Sequence, residues 1–206
     1  MKKSAITSLF LELEPIRKND NYCSEELKEE LITMFLPKTT CALTLDLSNV
    51  TSAFYGLSLK CTADLFGVEV IDKISKDVFY NLGVAKANQC YEKFKLLPKD
   101  TRAFAYVIVS AIYNASPEYN FSIHKFSEKH TIVELEGVDR YLRILNQLNI
   151  SEYVTFPTLL PFMEGVKDFL KIDCKIECDF NSDSDSNKTK CTYNFKKVDN
   201  ERAIIE

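Results

Sequence analysis

The feature that most constrains this chain is a change of hydrophobic period near its middle. Up to Ala115 the apolar residues recur three and four apart, and after Pro117 they alternate. A period near 3.6 lays apolar side chains along one stripe of a helix, whereas a period of two lays them on one face of a strand. The expected architecture is therefore α+β, a helical N-terminal half packed on one face of an antiparallel sheet formed mainly by the C-terminal half.

Capping and breaking residues divide the helical half. Pro15 interrupts any long helix near the start, and Ser24 ahead of Glu25 and Glu26 caps a helix that Pro37 ends. A second helix starts at Asp46 or Ser48 and runs to Gly67. A long amphipathic stretch follows from Val68 to about Leu97, where Gly83 is either tolerated or marks a break. Asp100 caps a third apolar helix, Thr101 to Ala115, hydrophobic almost all round and so expected to be buried. Beyond Pro117, Tyr119, Phe121 and Ile123, then Thr131, Val133 and Leu135, predict a hairpin turning at Ser127-Glu128 and ending at Gly137. Helical spacing returns over 138–148 and 162–170. Two last strands, 173–180 and 189–198, are joined by a polar linker. The organisation read from this is an N-terminal extension (1–22), one α+β domain (23–198) and a charged tail (199–206).

Composition narrows the function classes. With 26 Lys and Arg against 30 Asp and Glu, the chain is mildly acidic, which argues against nucleic acid as a partner. No apolar run approaches the roughly 20 residues of a membrane span. The N-terminal Met1-Lys2-Lys3 and the apolar residues after it are cut short by Glu12 and Glu14, so a secretory leader is not expected and the protein reads as cytoplasmic. Seven cysteines, an odd number, do not form the disulfide framework of a small secreted scaffold.

The closing hairpin carries the candidate chemistry. Cys174, Ile176, Cys178 and Phe180 share one strand face, as do Cys191, Tyr193 and Phe195 on the partner strand. Pairing Phe180 with Thr189 sets Cys178 directly opposite Cys191, and a register shift of two keeps all three thiols on one side. They read as small core hydrophobes, as reactive or ligand-binding thiols, or as metal ligands. No cofactor is required by the sequence. Zinc is a minor alternative, because Cys-x3-Cys and a distant Cys191 leave a structural site short of a fourth ligand unless His124 or His130 supplies it. Either histidine beside carboxylates can serve as a general base, although a solvated strand face is the commoner setting. Arg140 and Arg143, one turn apart, can hold a ligand carboxylate or simply lie on an exposed helix surface. The linker Asn181–Asn187 alternates oxygen-bearing side chains but lacks the glycine and glutamate of a calcium loop.

From about Phe54 the order of features resembles the L-2-amino-thiazoline-4-carboxylic acid hydrolase-like family. The resemblance is carried by Gly56-Leu57-Ser58-Leu59-Lys60, Leu65-Phe66-Gly67-Val68-Glu69, His130-Thr131-Ile132-Val133, and Glu177-Cys178 with Lys190-Cys191-Thr192-Tyr193-Asn194-Phe195. The ending is also similar to 4-vinyl reductase-type ligand-binding domains, which implies an apolar pocket between helices and sheet. The hydrolase-like family carries further cysteines, and the matching positions here are Gly137 or Val138 and Thr158. If those thiols serve ring opening, the resemblance implies that the chemistry is degenerate here.

Two functional readings follow. In the first, a hydrolase-like protein acts on a C–N bond of a small cyclic amidine or amide. Cys178 or Cys191 is the nucleophile or anchor, His124 or His130 moves protons, and Arg140, Arg143, Cys174 and Tyr193 hold the ligand. In the second, the protein is a non-catalytic binding or sensor domain for a small molecule, with a pocket lined by Phe and Tyr and a homodimer as one form it can take.

Overall fold

In a computed structural model that describes residues 8–95, 97–183 and 186–198, the chain is α+β, with seven helices and a four-stranded antiparallel sheet among those residues. The expected tail (199–206) lies outside the described residues. Contacts divide the chain at Ser48/Asn49, not near residue 22. The division falls inside a helix because the helix beginning at Thr40 runs unbroken past it.

The first unit contains α1 (Ser8–Arg17), with Pro15 inside it, and α2 (Glu25–Phe35). Ser24 Oγ accepts from Leu27 N at 3.2 Å, which caps α2 as its sequence predicts. Helix α3 (Thr40–Phe66) starts well before the expected Asp46 or Ser48. Its real start signal is Thr39, whose hydroxyl accepts from Ala42 N at 3.1 Å.

In the second unit, α3 ends at Gly67, whose φ of 95° suits a residue without a Cβ. A 3-10 turn (Val68–Val70) leads into α4 (Ile71–Phe94), followed by α5 (Arg102–Ala115), β1 (Tyr119–Phe126), β2 (His130–Val138), α6 (Arg140–Gln147), α7 (Leu159–Leu170), β3 (Cys174–Asp183) and β4 (Lys188–Lys197). The sheet order is β1-β2-β4-β3, with every pair antiparallel. Helices α5 and α7 lie on one face of the sheet, and α4 packs against both. The core between these layers includes Phe104, Val107, Ile108, Val133, Leu135 and Phe195; Phe104 and Phe195 stack at 4.0 Å.

Gly83 does not break α4. It lets the α4 backbone approach α7, where a Cβ would run into the Phe162 carbonyl oxygen; Gly165 on α7 makes the reciprocal approach to the Tyr80 carbonyl. Helix α5 is not buried all round. Ala103, Phe104, Val107 and Ile108 are buried, but Tyr106 and Tyr113 are exposed, with their rings edge-on to Phe126 and Phe121. Tyrosine tolerates that position because its ring packs while its hydroxyl stays in water.

Gly83→Ala is expected to lower the free energy of unfolding by about 2–3 kcal/mol, because the obstruction is backbone and cannot rotate away. Gly56→Ala meets side chains rather than backbone, those of Ile144 and Leu148, and is expected to cost less than Gly83→Ala, since a helix-propensity gain of about 1 kcal/mol offsets part of the crowding. Urea unfolding of both variants checks this.

Candidate functional site

The closing hairpin forms, with its register displaced by two residues. Phe180 pairs with Cys191 and Cys178 with Tyr193, because the strands extend into the linker as far as Asp183 and Lys188. Displacement by two preserves the face, so Cys174, Cys178, Cys191 and Tyr193 all point toward the helices. Cys191 and Cys174 are buried and Cys178 is half-buried. Cys178 and Cys191 are diagonal neighbours, and the fully buried Tyr193 lies beside both. The Cys191 thiol turned toward it holds Cys178 below the usual thiol range, against burial and with help from the Tyr193 hydroxyl. Cys191 is pushed up by the Cys178 sulfur and by burial. Burial, with the Glu164 and Asp173 carboxylates behind it and Lys167 against it, raises Cys174 to about 11.

The two histidines occupy the opposite face. His130 pairs with Lys196, and its Nε2 lies 2.7 Å from Asn194 Oδ1. His124 sits at a bulge between Ile123 and Lys125, with Nε2 3.5 Å from Glu134. Glu134 also accepts Lys190 at 3.1 Å, and Lys190 is the main reason its carboxyl is held low. The sheet therefore separates the thiols from both histidines, and neither can exchange a proton with Cys178 or Cys191 or complete a zinc site with them. Among the described residues no group of three or more His, Cys, Asp or Glu is placed to hold a metal ion.

The arginines diverge as well. Arg143 reaches Asn49 Oδ1 at 2.6 Å on the outside of α6. Arg140 is buried, donates to the Ala115 carbonyl and to Tyr141 Oη, and lies over the Tyr141 ring. Asp139 caps α6 beside it, with Oδ1 accepting from Tyr141 N at 2.9 Å and Leu142 N at 3.0 Å. Burial pushes the Asp139 carboxyl up, against those hydrogen bonds and the Tyr119 hydroxyl.

Arg140 belongs to a different site from the thiols. A cavity of about 720 Å³ opens between α3 and α4 and runs in to the ends of α5 and α6. Its walls are mostly apolar, including Val50, Phe54, Leu59, Val78, Leu82 and Phe162. Tyr55, Phe79 and Tyr141 form part of its lining, each ring edge-on to the other two at 4.9–5.4 Å. Tyr55 Oη and Ser75 Oγ share a hydrogen bond of 2.7 Å, and Tyr119 and Arg140 close the inner end. The cavity exists because α3 leans elsewhere. Leu59 and Ala63 pack with Ile71, Leu145, Ile150 and Val154, leaving α3 apart from the middle of α4. Sequence reasoning singled out Arg140 but missed the rest. The available signal was a second apolar stripe on α4, Ile74-Val78-Leu82, beside the buried one through Ile71, Phe79 and Ala87.

No family model matches the chain, and no curated protein matches it. Among solved structures, an Fe(II) unliganded H-NOX protein mutant from K. algicida is 14% identical, covering 73% of this chain and 96% of that chain with a TM-score of 0.34. At that degree of superposition the likeness carries nothing about ligand or activity. Among the described residues no helix is long and apolar enough to cross a membrane.

With iodoacetamide at neutral pH, the exposed Cys23, Cys41 and Cys61 are expected to label first and Cys178 next. Cys90, Cys174 and Cys191 should label only after denaturant is added. Cys191→Ala removes the donor that favours the Cys178 thiolate, so it should slow Cys178 labelling; peptide mass spectrometry reads both effects. Asp139→Ala should cost about 1–2 kcal/mol through the lost cap. Asp139→Asn keeps the acceptor. A carboxyl raised by folding holds its proton more tightly in the native state, so its contribution is present in acid and lost as pH rises through its folded value. Stability of the wild type should therefore fall relative to Asp139→Asn on going from acid to neutral pH, as urea titrations would record.

Proposed function

We propose that this protein is a non-catalytic binding domain for a small, largely apolar molecule held in the cavity between α3 and α4. The observation that carries the reading is the cavity itself. Its 720 Å³ lies within the range of small-molecule sites, and its apolar walls meet a few hydroxyls and one guanidinium at the inner end, the usual make-up of such sites. The hydrolase reading has less support. A thiol nucleophile needs a base within hydrogen-bond reach, and both histidines sit across the sheet from Cys178 and Cys191.

A neutral solvatochromic dye such as Nile red tests the proposal. The wild type is expected to bind it at one site with a blue-shifted emission. Ala111→Phe, which fills the cavity from α5, should weaken binding about tenfold, a loss of about 1.4 kcal/mol. A second groove, lined by Tyr106, Tyr113, Phe121 and Phe126 across α5, serves as the control. Tyr113→Ser there should leave binding unchanged. Equal binding by wild type and Ala111→Phe would overturn the reading.

A further inference from the structure

Helix α4 places Ile74, Val78, Leu82 and Lys86 four residues apart along the cavity wall. The first three are apolar and the fourth is a cation, so the stripe is oily for most of its length and positive at one end. At 1.5 Å of rise per residue it is about 18 Å long. Val50, Phe54, Ser58 and Thr62 form the matching stripe on α3. Lys86 is half-buried, and its Nζ donates to Gln89 Oε1 at 2.9 Å. Among the described residues it forms no ion pair. The ionisable neighbours acting on it are the Cys90 thiol and Lys93, the latter a second cation, and burial pulls its amine down from the usual lysine range. A half-buried ammonium without a carboxylate is destabilised, and an anion brought to it relieves that cost. Arg140 at the inner end is different, because the Ala115 carbonyl and the Tyr141 hydroxyl already engage it.

We infer that the occupant of this cavity is an anionic amphiphile, whose single apolar chain lies along the α3–α4 cleft and whose carboxylate or phosphate head is held by Lys86. This rests on the cavity being a binding site and goes beyond it by stating the charge, the shape and the direction of the ligand. A cationic amphiphile would meet Lys86 with like charge, and a neutral one would leave the ammonium as it is.

Calorimetry on the full chain tests this with dodecanoate, dodecyl phosphate, dodecanol and dodecyltrimethylammonium, each below its micelle-forming concentration. Dodecanoate or dodecyl phosphate is expected to bind at least tenfold tighter than dodecanol, with the cation weakest; the tighter of the two anions identifies the head group. Lys86→Gln should abolish the preference for the anion, so that dodecanoate and dodecyl phosphate bind this variant no tighter than dodecanol does, and Lys86→Arg should restore it. If dodecanol binds the wild type as well as either anion, or Lys86→Gln keeps the preference, the inference is overturned and the cavity still stands as a site. If no amphiphile binds and Nile red is also unaffected by Ala111→Phe, the binding reading fails with it.

Discussion

The close approach of α4 and α7 is the contact on which the rest of the second unit depends. Gly83 and Gly165 bring the two backbones together, each facing the other's carbonyl oxygen where a Cβ would not fit. Helix α7 in turn packs on β3, and α4 packs on α5, which covers β1 and β2. One face of α4 is thereby committed to α7 and the core. The neighbouring stripe, Ile74-Val78-Leu82, has to face α3. That helix takes its own support from Ile71, Leu145, Ile150 and Val154, so it does not close down on the stripe. The cavity is the geometric remainder of two well-packed contacts that pull α3 and α4 toward different partners.

Much of this was legible because period and caps are local signals. Ser24, Gly67 and the alternation after Pro117 give the ends of α2 and α3 and the identity of β1 and β2. Thr39 was an equally local cap, and reading it would have placed the start of α3 correctly. Other features depend on partners distant in sequence. Gly83 has an ordinary helix pattern around it, and only the position of Phe162 reveals why glycine is there. The displaced hairpin register arises from pairs such as Asn181 with Lys190 and Ser182 with Thr189, which extend the strands through residues that look like loop. The face assignment survived because a shift of two residues cannot turn a strand over.

The same alternation that puts three thiols on one side removes the histidines from them. Cys178, Cys191 and Tyr193 belong to one parity of the sheet, and His130 and Glu134 belong to the other. On the outer face the charges satisfy each other: Glu134 joins Lys190 and His124, and Glu177 joins Lys175 and Lys196 at 2.7 and 3.2 Å. On the inner face Cys178, Cys191 and the buried Tyr193 hydroxyl lie together with no histidine on their side of the sheet. The two halves of a cysteine–histidine mechanism exist in the chain, yet a single layer of backbone lies between them.

Electrostatics inside the helical layer follow the same logic of local satisfaction. Asp139 is deeply buried, but two backbone amides and the Tyr119 hydroxyl converge on it. Arg140 is buried beside it and engaged by a carbonyl and a phenol. Arg140 lies at the inner end of the cavity, where the carbonyl and the phenol that engage its guanidinium come from the protein itself. Lys86 is the exception at the other end of the α4 stripe. Among the described residues its hydrogen bond is to a neutral amide, and its charge is partly withdrawn from water. On the proposed reading, a cleft that is apolar along its walls and carries the Lys86 charge at one end of the α4 stripe would discriminate by where a ligand carries its charge rather than by how many hydrogen bonds the ligand makes.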